Sequence, residues 1–164
     1  MRQHPYRVCF VCSGNICRSP IAEVVLRAMA ERSDQPHLVE VDSAGIGDWH
    51  VGERADRRAV AVLATHGYDG SAHRARQFEA GDFADRDLVV ALDHGHLRAL
   101  RTLAGTSADR DKIVLLRSLD PAMSLAEGHL LDVEDPYYDG EAAFVEVLGQ
   151  IEAACRGLLT TLER

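Results

Sequence analysis

The chain has 164 residues, enough for one compact core and too few for two ordinary domains, so residues 1–164 are expected to form a single domain. Hydrophobic residues make up 46% and charged residues 27%, which excludes the composition of a disordered chain. A net charge of -8 with no basic patch argues against nucleic acid or an anionic membrane as partner. The acidic excess lies at the C-terminal end: from Ser118 onward there are ten Asp and Glu against two Arg, and before it sixteen of each sign. One acid from that stretch, brought beside a site built elsewhere, suits proton transfer. Residues 1–7 lead into an apolar run of only about six residues, too short for a signal peptide or a membrane span, and a cytoplasmic protein is expected.

Four cysteines, Cys9, Cys12, Cys17 and Cys155, do not make a disulfide framework, because three of them fall within nine residues. Cys9 and Cys12 have the spacing that opens a zinc site, but no second pair or His pair follows, so no metal and no cofactor are expected.

In chain order, Arg7–Val11 reads as a buried strand. Ser19 and Pro20 then read as the cap and first residue of a helix whose Ala22, Val25, Leu26 and Met29 share one face. Leu38–Val41 is a short strand, Ala55–His66 a helix ended by Gly67, and Asp87–Leu92 an apolar strand. Leu97, Leu100 and Leu103 mark a further helix, and Lys112–Leu115 a fourth strand. From Glu141 to Leu162, Phe144, Val147, Leu148, Ile151, Cys155, Leu158, Leu159 and Leu162 trace one apolar helical stripe. This alternation predicts a four-stranded, mainly parallel sheet covered by helices on both faces, a doubly wound fold. Ligands bind such folds at the carboxyl ends of strands where the strand order switches.

The segment Val11 to Pro20 lies at such a place, between the first strand and the first helix. Cys followed six residues later by Arg and then Ser arises by chance about 0.03 times in a chain of this composition. A loop of that length lets backbone N–H groups of Ser13, Gly14, Asn15, Ile16 and Cys17 surround one phosphate, and the helix N-terminus adds positive charge. Gly14 and Asn15 tolerate the left-handed backbone that such a loop needs. At its base the same charges favour Cys12 as thiolate and hence as nucleophile. Arg18 can hold two phosphoryl oxygens in its planar fork, and Ser19 can donate its hydroxyl to the departing sulfur.

This loop, Val11 to Glu23, resembles the signature of the low-molecular-weight protein tyrosine phosphatases almost residue for residue, Cys17 included. Asp42-Ser43-Ala44-Gly45, Trp49 with Val51 and Gly52, His66-Gly67, His73 to Gln77, and Asp135-Pro136-Tyr137-Tyr138 are similar to family blocks and stand in family order. The stretches Trp49–Gly52 and Val133–Tyr138 are most like the actinobacterial members. Ser13 departs from the larger or β-branched residue of many relatives.

The resemblance implies a flavodoxin-like fold and hydrolysis of phosphotyrosine through a phosphocysteine. It implies Asp135 as general acid, Ser43 and His73 as supports of the loop through Asn15, and Trp49, Tyr137 and Tyr138 as walls of an aromatic slot. The expected partners are phosphotyrosine proteins, with inorganic phosphate as product, and the expected state is a monomer. Two rivals remain at this stage. A thiol-dependent arsenate reductase needs relay cysteines, and only Cys155 lies beyond the loop. A phosphoprotein-binding module would lack the nucleophile or the acid, and both are present. Cys12 and Cys17, bracketing one cradle, are also expected to form a disulfide under oxidation.

Overall fold

The computed structural model describes residues 4–163. β1 (Tyr6–Cys12) is followed by α1 (Arg18–Glu31), β2 (Val39–Gly45) and α2 (Arg57–Thr65). Next come β3 (Leu88–Ala91), α3 (His94–Leu103), the single turn α4 (Ser107–Arg110), β4 (Ile113–Leu115) and the long α5 (Glu141–Leu162). The four strands form one sheet in the order β2-β1-β3-β4, and every pairing is parallel. Strand order therefore reverses between β1 and β3, and the loop after β1 opens at that reversal, where a doubly wound sheet binds ligands.

Side chains alternate across each strand, so one strand feeds two cores. Val8 and Phe10 of β1, with Leu88 and Val90 of β3, face a core completed by α1, α2 and α5. Cys9, Val11, Val89 and Ala91 face the opposite core, closed by Leu97 and Leu100 of α3 and by Phe78 and Phe83. Residues buried on both faces explain why β1 and β3 read as continuous apolar runs. The helix from Glu141 to Leu162 has the limits its stripe predicts. Phe144, Val147, Leu148, Ile151, Leu158 and Leu159 are all buried, each contributing roughly 1.5–3 kcal/mol of transfer free energy. Cys9 and Cys155 are core residues, as expected.

Several boundaries differ from the sequence reading. α1 begins at Arg18 with Cys17 at the cap position and no side-chain cap, so Ser19 does not cap the helix. Its hydroxyl is drawn to Cys12 instead, and Pro20 sits inside the first turn, where a missing N–H costs nothing. β2 continues to Gly45, because Asp42 to Gly45 pair in register with Cys9 to Cys12. α2 starts two residues later than expected, with Asp56 accepting from Arg58 N–H as its cap. The short 3-10 turns Ala80–Asp85, Leu116–Leu119, Pro121–Met123 and Gly128–Leu131 carry no periodic signal in the sequence.

Candidate active site

The loop from Cys12 to Ser19 is built around Asn15, the one non-glycine with positive φ (58°) among the described residues. Its side-chain amide is oriented by its partners: Arg76 N–H donates to Oδ1 (2.9 Å), so Nδ2 donates to Ser19 Oγ (2.8 Å) and Ser43 Oγ (2.9 Å). Ser43 Oγ in turn donates to Glu23 Oε1 at 2.5 Å, and His73 Nε2 lies 2.7 Å from the Asn15 carbonyl. The left-handed backbone is thus held by side chains from β2, α1 and the His73 segment and by the Arg76 N–H, which outweighs its local cost of about 1–2 kcal/mol. Ser43 and His73 thus both contact Asn15, one at its side chain and one at its carbonyl. Gly14, by contrast, does not adopt positive φ; its missing side chain makes room for the His50 ring, 2.8 Å from where a Cβ would be. Gly45 serves the loop from outside, since a Cβ there would lie 2.8 Å from the Ser13 carbonyl oxygen.

Asn15 Nδ2 donates to the Ser19 hydroxyl, which lies 2.9 Å from Cys12 Sγ and 3.3 Å from the Ala44 carbonyl oxygen, so its one proton has two acceptors within reach. Cys12 itself is buried at the end of β1. The N–H groups of residues 14–17 have no acceptor among the described residues. Arg18, 4% exposed, is held by Asp93 Oδ2 (2.9 Å) and the Val133 carbonyl (2.8 Å), both through Nη1. Its Nη2 lies 3.7 Å from Asp135 Oδ2. Asp135 also makes the turn expected of an Asp-Pro pair, accepting Tyr137 N–H at 3.0 Å on Oδ1. The turn leaves Oδ2 on the arginine side.

These groups open into a cleft of about 230 Å³ whose floor includes Cys12, Ser13, Ile16, Cys17 and Arg18. Trp49, His50, Asp135, Tyr137 and Tyr138 form its walls. Trp49 is 69% exposed, so the lone tryptophan is not a core residue. Tyr137 and Tyr138 meet edge to face with ring centroids 4.9 Å apart, and the Arg58 guanidinium lies over both Tyr137 and Phe144.

A family model described as low molecular weight phosphotyrosine protein phosphatase matches residues 7–164. The chain belongs to that family. The phosphatase is 60% identical over 157 residues to a low molecular weight protein-tyrosine-phosphatase of Streptomyces coelicolor, covering 96% of this chain and 93% of the relative. It is 47% identical to low molecular weight protein-tyrosine phosphatase A of Mycobacterium tuberculosis, over 94% and 90% of the two chains. Both organisms fit the actinobacterial likeness read from the sequence. A crystal structure of a protein tyrosine phosphatase from Entamoeba histolytica superposes with a TM-score of 0.87 at 31% identity, covering 96% of this chain and 97% of that one.

Four residues of the phosphatase site escape the sequence reading. Glu23 lies one helical turn beyond Ser19 and accepts a hydrogen bond from Ser43 Oγ; its i+4 spacing was the available signal. Asp93 caps α3 through His96 N–H while holding Arg18, and its place at the carboxyl end of β3 was the clue. Burial would raise its carboxyl, but His96, its N–H and Arg18 together hold it below the usual range. His94 fastens the acid segment: its N–H and Nδ1 both meet Asp132 Oδ1, at 2.8 and 2.7 Å. His96 Nε2 is 2.9 Å from Ser13 Oγ.

Burial, opposed by Asp93, lowers His96 from 6.5 to about 4. The unfolded chain therefore takes up this proton near pH 6.5 while the folded phosphatase resists it until about 4. Stability from this group is intact above 6.5 and falls as the pH drops through that window, by about 3 kcal/mol in all. Denaturant unfolding across a pH series is expected to show that loss in the wild type and not in His96→Asn. The same acid slope in both proteins would remove His96 as its source.

Proposed function

We propose that the protein hydrolyses phosphotyrosine in proteins through a phosphocysteine on Cys12, with Arg18 as clamp and Asp135 as acid and base. The observation that carries this reading is the meeting of three separate segments in one cleft: Cys12 from β1, Arg18 from the first turn of α1, and Asp135 from the segment fastened to α3. Loop N–H groups and the Arg18 fork bind the phosphoryl oxygens. Cys12 Sγ, as thiolate, attacks phosphorus in line with the aryl oxygen. As the P–O bond breaks, the aryl oxygen takes the proton of the Asp135 carboxyl and leaves as a neutral phenol. A water then attacks the phosphocysteine, giving a proton to the Asp135 carboxylate. The S–P bond breaks, and the sulfur leaves as a thiolate stabilised by the Ser19 hydroxyl. Inorganic phosphate is released.

Arg18 suits the transition state because its planar fork can follow two equatorial oxygens with Nη2 and Nε while Asp93 and the Val133 carbonyl hold Nη1 in place. The walls of Trp49, Tyr137 and Tyr138 fit a flat phenyl ring and leave a short phosphoserine unable to reach the sulfur. Cys155, buried on the inner face of α5, supports hydrolysis over a thiol relay, since its sulfur is not accessible. The test is turnover of phosphotyrosine peptides against phosphoserine peptides of the same sequence, with strong preference for the former expected. Equal rates on both would overturn the assignment.

Oxidation of the same loop follows from its chemistry. Cys12 and Cys17 both line the floor of the cleft and are almost equally buried, at 3% and 5% exposure. Burial, then Asp56 and Cys12, push the Cys17 thiol far above its ordinary range. Peroxide therefore meets Cys12 first, and capture of the sulfenic acid by the Cys17 thiol, with loss of water, is the slower step. Peroxide is expected to inactivate the enzyme reversibly, phosphate to protect it, and Cys17→Ser to keep its activity but recover poorly on reduction. Equal recovery of both proteins would show that Cys17 is not the resolving thiol.

A further inference from the structure

Trp49 is shared by two hollows. Its ring lies against the backbone at Gly47, where a Cβ would stand 2.1 Å from the nearest ring carbon, so the indole rests in a place only glycine leaves open. One hollow is the catalytic cleft. The other, of about 240 Å³, shares Trp49 and Ser13 with it and is otherwise lined by Ile46 and by Gly95 and Ala99 of α3, together with Asp93 and His96. The apolar part of that lining comes from two different elements, the segment after β2 and the outer face of α3.

Most polar atoms of this second pocket are committed to one another, and His96 Nδ1, which makes no hydrogen bond, is itself buried. Ser13 Oγ is 2.9 Å from His96 Nε2, Asp93 Oδ1 accepts His96 N–H at 2.9 Å, and Asp93 Oδ2 accepts from Arg18 at 2.9 Å. His96 Nδ1 faces Asp93 Oδ1 at 3.1 Å. A charged guest would compete with Arg18 for Asp93 or lie against apolar walls without a partner, both of which cost free energy. An aliphatic guest breaks none of these bonds and covers Ile46, Ala99 and one part of the Trp49 ring.

A peptide that places its phosphotyrosine against one part of Trp49 carries its neighbouring residues past the rim, since successive Cα atoms are only about 3.8 Å apart. We infer that this pocket is a specificity subsite for an aliphatic side chain of leucine or isoleucine size, one or two residues from the phosphotyrosine of the substrate. The inference rests on the phosphatase reading above and adds to it the sequence context the enzyme selects.

One phosphotyrosine peptide, with Leu, Ala, Lys or Glu placed in turn at each of the nearest positions on both sides, tests it. At one position Leu is expected to raise kcat/KM about tenfold over Ala, with no gain for Lys or Glu. Ala99→Phe, which fills the pocket from α3, is expected to abolish that preference while kcat and KM for p-nitrophenyl phosphate stay as in the wild type. Ile46→Ala, which removes the opposite wall, is expected to weaken the same preference and serves should Ala99→Phe fail to fold. The subsite is overturned if no position prefers Leu, if Lys or Glu is preferred instead, or if the preference survives in the folded variants. Loss of all turnover of p-nitrophenyl phosphate by the wild type would instead overturn the phosphatase reading beneath it.

Discussion

Cys12→Ser and Arg18→Ala are each expected to abolish hydrolysis of aryl phosphates while the protein stays folded. A serine hydroxyl at this depth is smaller than the thiol and far less acidic, and nothing in the loop removes its proton: its hydrogen-bond partner there is the Ser19 hydroxyl, which is no base. Arg18→Ala removes the clamp and leaves Asp93 and the Val133 carbonyl without their donor. Arg18→Lys is expected to fail as well. A lysine ammonium is a point charge; it can replace the bond to Asp93 or reach the phosphoryl group, but it cannot hold two equatorial oxygens in one plane. Steady-state assays with p-nitrophenyl phosphate, with circular dichroism as the folding control, check all three. Substantial turnover by Cys12→Ser would contradict covalent catalysis.

The second large effect belongs to Asp135→Asn, which is expected to lower kcat for phenolic leaving groups by ~10²–10⁴ and to flatten one limb of the pH–rate profile. Asparagine keeps the turn, because its amide oxygen can still accept Tyr137 N–H, so the Tyr137 and Tyr138 walls stay in place. What disappears is the proton. Leaving groups that depart readily as anions are expected to suffer far less than phenol itself, and a series of aryl phosphates with graded leaving groups reads the difference as a slope. Equal losses across the series would assign Asp135 to the turn alone.

The parts of this protein legible from its sequence are those in which chemistry and local structure coincide in a few consecutive residues. The loop from Cys12 to Ser19 states its own geometry: Asn15 takes the left-handed backbone, and the order strand, loop, helix puts the cradle at a helix N-terminus. α5 is equally plain, because one long stripe faces one core. β2 was read too short because Asp42-Ser43-Ala44-Gly45 has none of the β-branched alternation of a strand; it is extended because β1 lies beside it, with Arg76 and Arg86 holding Asp42. Ser19 looked like a cap because Ser before Pro usually is one. The cap is absent, and the hydroxyl lies instead beside the Cys12 sulfur, the other place the sequence reading gave it.

Asp93, His94 and His96 were missed for one shared reason. Their parts in the site arise between elements far apart in sequence: the first turn of α3 touches the phosphate loop through His96 and Ser13, the clamp through Asp93, and the acid segment through His94 and Asp132. No spacing rule within a single element records such contacts. The acidic excess after Ser118 pointed toward an acid in that stretch, but only the family likeness singled out Asp135 among its ten carboxylates.

The covalent intermediate is the point on which the account stands. Asp135→Asn slows proton transfer in both half-reactions, and in burst experiments with a substrate whose leaving group needs no proton, formation outruns breakdown. Rapid acid quench, digestion and mass spectrometry then locate any phosphoryl group. The account predicts one phosphoryl adduct on the peptide that carries Cys12, absent from Cys12→Ser and lost with time as inorganic phosphate appears. Product release in that experiment with no phosphorylated Cys12 peptide at any time, or with the adduct on another residue, would contradict it.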